Sequence, residues 1–228
     1  MTDLSTTTSP ATPPTTNQEG PTTRRRTATA VGILFIVQMV AAMFGTSLIQ
    51  AYVDGDPDRA PMTLGVLLMM CSGLAVVAIG LLMYPVLKDV NARLAVWYPI
   101  LRITEFAVSA VCAGYLLVQS DVVPHHLLWV YVPTGAGGII LTYLLLTARL
   151  VPRPLALLGL VGYISLTVGV PLDLLGLLDM SDGRGLLLVV PGGLFELVFL
   201  PLWLITKGFS APSTRGRAAS TSLSGSGR

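Results

Sequence analysis

Between Trp97 and Leu117 the chain runs apolar for the length of a membrane-crossing helix, yet Arg102 and Glu105 sit near the middle of that run. Tyr98, Arg102, Glu105, Ser109 and Cys112 follow one another at spacings of four, three, four and three residues. At about 3.6 residues per turn, those spacings put all five side chains on one stripe of one helix. A charge at the centre of a bilayer costs about 2.5–3.5 kcal/mol on insertion scales, and more in simulations. Two charges on one stripe must therefore face other protein or enclosed water.

What surrounds the run makes it a membrane span. Of 228 residues, 53% are hydrophobic and 11% charged, against about 25% charged in soluble domains. The apolar residues arrive in blocks of about 20, enough to cross a hydrocarbon layer about 30 Å thick. Six spans are predicted, at 28–51, 62–87, 95–118, 127–148, 155–178 and 186–206. The expected fold is all-α: a polytopic membrane protein with six transmembrane helices in one bundle over 28–208. Residues 1–27, rich in Thr and Pro, and 209–228, rich in Ser, Gly and Arg, are expected to be disordered tails, because such composition buries too little apolar surface to offset ordering entropy. Ser47-Leu48-Ile49-Gln50-Ala51 is a poor small-x-small cleavage site, so the first span is expected to be retained. Cys71 and Cys112 both fall inside apolar blocks. They are expected as small buried hydrophobes, with no disulfide framework.

Basic residues orient the spans. The termini and the second–third and fourth–fifth connections hold eleven Lys and Arg, including Arg24, Arg25, Arg26, Lys88, Arg93 and Arg149. The opposite loops hold two, Arg59 and Arg184. Basic loops stay cytoplasmic, so both termini are expected there. The formal net charge of +2 is small and points to no nucleic-acid partner. The partner that the composition does imply is the lipid bilayer, and a homo-oligomer is compatible with it.

Counting residues along the spans puts polar groups at a shared depth. Glu105 and Glu196 lie near the midplane of the third and sixth spans, with Arg102 about one turn away. Gln38, Ser72, Ser165 and Thr167 fall at similar depth. The arrangement of lowest cost has Arg102 bridging Glu105 and Glu196, with Gln38 and hydroxyls completing the hydrogen bonds. Two readings follow. In one, the cluster is a buried lock that fixes how the third and sixth helices meet. One cation against two acids, however, leaves a net −1 that a lock does not need. In the other, burial keeps one carboxyl protonated, and it serves as a proton site or binds a small ligand. Arg102, Glu105 and Glu196 are the candidate ligand or proton site, with Gln38, Tyr98, Ser109 and Asp173 secondary candidates.

Other features read more plainly. His125-His126 with Asp121 could hold a metal, but adjacent histidines at a helix start point apart, and no metal or other cofactor is expected. Pro171 is expected to kink or break the fifth span, with Asp173 satisfying the groups this frees. Pro133, Pro191 and Pro201 are expected to bend the fourth and sixth spans. Gly135, Gly137, Gly138, Gly159, Gly162, Gly192 and Gly193 are expected to allow close helix approach. Trp97, Trp129 and Trp203 sit toward span ends, where indoles anchor at the interface. The sequence has no Ser-His-Asp set, HExxH or phosphate loop, which argues against a familiar hydrolase or nucleotide enzyme.

Four motifs in order carry a family resemblance. They are Leu82-Met83-Tyr84-Pro85-Val86-Leu87-Lys88, Arg102-x-x-Glu105, Leu150-Val151-Pro152-Arg153, and Phe195-Glu196 followed by Leu202-Trp203-Leu204-Ile205-Thr206-Lys207-Gly208-Phe209. Over Thr27 to Phe209 the chain resembles the bacterial membrane family called domain of unknown function 4386. The resemblance implies a six-span protein of the bacterial plasma membrane and supplies no established activity. Spans one to three and four to six run in opposite senses, each set ending in a span with a midplane glutamate. An inverted three-plus-three repeat would give that pattern. Three functions are carried forward: a small transporter-like or ligand-binding bundle, a non-catalytic component whose charge cluster only fixes packing, and a membrane-embedded enzyme acting on a lipid or quinone.

Overall fold

The computed structural model describes residues 21–55, 58–123, 125–180 and 183–210, all helix and short turns. The chain forms α1 (Pro21–Val53), α2 (Arg59–Gln119), α3 (His126–Thr147), α4 (Arg153–Leu174), α5 (Leu186–Leu194) and α6 (Leu200–Thr206). A π-helical turn, Phe195–Phe199, joins α5 to α6 without a break. Most of each predicted tail, 1–20 and 211–228, lies outside the described residues. The part of the amino-terminal tail that is described is helical, because α1 starts at Pro21 and not at the expected Ala28. Within it, Thr27 Oγ1 donates to Thr23 O at 3.1 Å and Thr29 Oγ1 to Arg25 O at 3.1 Å, one turn back along the helix.

Among the described residues, five helical stretches are long and apolar enough to cross a membrane, where six were expected. The difference lies in α2, whose 61 residues absorb both the second and third predicted spans. Straight, it would reach roughly 90 Å, far beyond a hydrocarbon layer of about 30 Å. It reverses instead at Asn91, the one residue inside it with extended backbone (φ −155°, ψ 102°). Asn91 Oδ1 accepts from Arg93 N at 3.1 Å and Leu94 N at 3.2 Å, so one side chain ends the first arm and caps the second. The arms then pack antiparallel. Gly80 lies against Pro99 and Arg102, Gly73 against Phe106, and Arg59 Nη2 donates to Ser120 Oγ at 2.7 Å where the two ends meet.

Two further expectations are corrected. Of the kink or break expected at Pro171, the break does not occur: α4 continues through it to Leu174 and then turns at Gly176. A proline this near the end of a helix removes one hydrogen bond that the last turn can spare. Cys71 is not a buried hydrophobe but faces outward, and Cys112 is half-buried; both are free thiols.

The helices follow one another around a bundle: α1 on the first arm of α2, the second arm on α3, α3 on α4, α4 on α5, and α6 back on α1. We call the end holding Asn91, the α3–α4 turn and Lys207 the basic end, and the opposite one, with Asp54 and Asp121, the acidic end. At the basic end the core is closed. Ala28, Val31 and Phe35 of α1 pack with Met83, Leu87, Leu144, Leu145 and Leu204, all essentially without exposure. Ser210 N donates to Leu150 O at 2.9 Å, tying the chain beyond α6 to the α3–α4 turn. α3 and α4 extend this core toward the acidic end through Leu128, Leu166 and Val170. α1 and α2 add only a small separate cluster there, Met62, Val66 and Leu116 of α2 with the partly buried Ile49 and Tyr52 of α1 against it.

Candidate functional site

The three charged residues meet where the closed core ends. Arg102 Nη1 lies 2.7 Å from Glu105 Oε2, and Nη2 lies 3.2 Å from Glu196 Oε1. The i,i+3 spacing within the second arm of α2 makes the first contact local. Glu196 arrives from the far end of the chain, on the π turn that Pro191 and Pro201 bracket. The π turn carries an i→i+5 bond, Leu200 N to Phe195 O. Such turns recur where a helix must re-aim one side chain at a site.

A tyrosine that the sequence reading passed over completes the cluster. The Tyr163 hydroxyl, on α4, donates to Glu196 Oε1. Its ring occupies the space that a Cβ at Gly138 would fill, so α3 needs glycine at that point. Gly80 does the same for the stem of Arg102, with a Cβ there falling 3.1 Å from the arginine Cβ. Among the expected hydroxyls, Ser72 Oγ donates to Gln38 O at 2.8 Å, and the Gln38 amide reaches Glu196 Oε2 at a long 3.5 Å. Thr167 Oγ1 turns back to Tyr163 O at 2.8 Å and leaves the layer. The signal for Tyr163 was a phenol at mid-span, since a buried hydroxyl needs a partner.

The secondary candidates separate. Tyr98 is fully buried with its ring under Arg102, 5.3 Å from centroid to Cζ, a cation–π distance. Among the described residues, the Tyr98 hydroxyl and Arg102 Nε have no hydrogen-bond partner. Ser109 lies one turn from Glu105 on the wall of a cavity. Asp173 is not part of the site: its carboxylate accepts from Met180 N at 2.6 Å and holds the loop after α4.

That cavity holds about 770 Å³ and is the feature periodicity could not reveal. Glu105, Glu196, Gln38 and Tyr163 form its floor, and Met39, Met43, Met69, Phe106, Val130 and Val189 stand among its apolar walls. It runs along α1 from Gln38 past Ser47 and Gln50 to Asp54, which are exposed at the acidic end. Both carboxylates touch it, with side-chain exposures of 12% for Glu105 and 11% for Glu196. The two acids differ in what surrounds them. Glu196 accepts from Arg102, Tyr163 and Gln38. Glu105 has Arg102 and, beside it, Thr134, whose hydroxyl hydrogen already goes to Val130 O at 2.8 Å.

The family described as Domain of unknown function (DUF4386) matches residues 30–117 and 125–208. The chain belongs to this family. Both DUF4386 segments contribute to the site, Gln38, Arg102 and Glu105 from the first, Tyr163 and Glu196 from the second. No curated protein and no solved structure matches the chain.

Proposed function

We propose that this DUF4386 protein is a small transporter-like or ligand-binding protein of a bacterial plasma membrane, with both termini cytoplasmic and the cavity open to the outside. The observation that carries the reading is the cavity itself: a space of about 770 Å³ whose floor is a charged cluster. Small-molecule sites have this character, largely apolar walls with a few convergent polar groups, in about 300–1,000 Å³. A cluster that served packing alone would be expected to lie in closed protein, as Arg102 does, and not to present both acids to open space. Glu105 is assigned as the ligand-facing or proton-binding group, and Arg102, Glu196 and Tyr163 as its support. The orientation rests on the basic end, where Arg24, Arg25, Arg26, Lys88, Arg93, Arg149, Arg153 and Lys207 gather against Arg59 and Arg184 opposite.

Thiol labelling tests both halves of this reading. In a chain carrying Cys71→Ser and Cys112→Ser, Ser109→Cys places one thiol on the cavity wall beside Glu105. A membrane-impermeant, water-soluble thiol reagent added outside intact cells is expected to label it. Labelling only after the cytoplasmic face is opened would reverse the orientation. No labelling from either face would show a closed interior and leave the packing role as the better account.

A further inference from the structure

We propose that the ligand is a lipophilic cation that enters sideways from the lipid and exchanges with a proton on Glu105. The inference deepens the cavity reading above and rests on it. The cation follows from charge. One guanidinium faces two carboxylates, and among the described residues no second Lys or Arg is paired with either acid. The cluster therefore has one more negative charge than positive when both acids are ionised. The titratable groups around Glu105 are Arg102 and Tyr98 on its own helix and Glu196 on the π turn, with Tyr163 of α4 against Glu196 and Tyr131 of α3 further along the wall. Asp54 of α1 stands at the far mouth. Arg102 is the one cation in this set. A surplus charge in low-dielectric surroundings is costly unless a proton or another cation neutralises it.

Only one of the two is needed at a time. With a proton on Glu105, its carboxyl group is neutral and the remaining pair, Arg102 with Glu196, is balanced. When the cation arrives, the Glu105 O–H bond breaks, its electron pair stays on the carboxylate, and the proton passes to water in the cavity. Charge in the site is the same before and after.

The route and the apolar character follow from a missing wall. α1 packs closely on α6 and the π turn but at most marginally on α5, and α5 contains no buried residue. At that depth the cavity lies between Met39, Ala42 and Met43 of α1 and Val189, Gly192 and Gly193 of α5. Met43 is 58% exposed and Phe44 64% exposed on the same stretch of α1. The gap between the two helices faces hydrocarbon in the leaflet at the acidic end. A molecule using it must partition into lipid and carry an apolar body to match the walls.

The test compares two probes of one shape and different charge, methyltriphenylphosphonium and neutral triphenylphosphine oxide. Each is titrated into the full chain in lipid nanodiscs, with empty nanodiscs correcting for partition into lipid. Saturable phosphonium binding at least about tenfold tighter than the oxide is expected, weakening by up to about tenfold per pH unit toward acid as protons compete. Release of protons to a weakly buffered solution should accompany binding. Glu105→Gln should abolish the preference for the cation and the pH dependence together. The pH dependence and proton release of the unaltered protein keep the test decisive if that variant does not fold. Equal binding of the two probes would overturn the cation and leave a ligand cavity standing. Cation binding without pH dependence would overturn the exchange. Absence of phosphonium binding in a protein whose Ser109→Cys form is labelled would overturn the inference while sparing the cavity reading.

Discussion

The two ends of this bundle are built from the same helices and the same residue types, yet one is closed and the other open. On α1, Ala28, Val31 and Phe35 recur at helical spacing and are buried to within about a hundredth of their surface. Further along the same helix, Met39, Met43 and Ser47 border empty space. The sixth membrane segment shows the same contrast. α6 buries Leu200, Pro201 and Leu204, whereas α5 buries nothing. The charged cluster sits at the border between the two regimes. Packed protein on one side can hold Arg102 in a fixed geometry, and open space on the other lets the carboxylates meet what comes in. Rigid support behind an accessible floor is the arrangement expected of a binding site.

The largest effect expected tests the border. Arg102→Ala leaves Glu105 and Glu196 without their shared cation, at a point where the arginine itself is buried. Removing one partner of a buried ion pair costs about 3–5 kcal/mol. Unfolding of the purified variant in detergent should show a loss of that order, or the protein should fail to accumulate. Wild-type stability would mean that the acids are neutralised without the arginine, and the two regimes would no longer share a structural hinge at this point.

Next in size is a cut into the closed region. Leu144, on α3, has no exposed surface and packs in the main core. Leu144→Ala removes buried methyl groups that neighbours cannot fully replace, at a cost of about 2–5 kcal/mol. Chemical unfolding of the variant should report it. A loss below about 1 kcal/mol would show that the basic end is as loosely packed as the acidic one.

How much of this was legible before the structure depends on which force wrote each feature. The cost of burying charge wrote the cluster, and the positions of Arg102, Glu105 and Glu196 made their meeting readable. Lys88, Asp89 and Arg93 marked the turn between the second and third spans. They did not show that helix continues on either side of a single residue, because one Asn serves as break and cap together. Tyr163 reads as aromatic filler in an apolar span unless its hydroxyl is asked for a partner. The π turn around Glu196 had two flanking prolines as its trace, and these signal a bend without specifying the kind. The cavity left no trace at all. Met, Val and Phe are used alike whether a helix faces lipid, a neighbour or a void, because hydrocarbon and protein interior are similarly apolar.

The smallest expected effect is the one that separates the two regions most directly. Met43 borders the cavity and is 58% exposed, so its side chain already lacks neighbours on much of its surface. Met43→Ala creates no new cavity, forfeits few dispersion contacts, and slightly favours the helix, where Ala is the better former. Stability should stay within about 0.5 kcal/mol of the parent, as for substitutions outside packed cores. Measured beside Leu144→Ala under the same conditions, the pair holds the chemistry nearly constant, a medium apolar side chain cut to a methyl, and changes only the surroundings. A large difference between them is what a closed end and an open end require. If Met43→Ala costs as much as Leu144→Ala, side chains fill the space beside α1 in the folded protein. The floor of Glu105 and Glu196 would then be sealed, and the charge cluster would be a packing device after all.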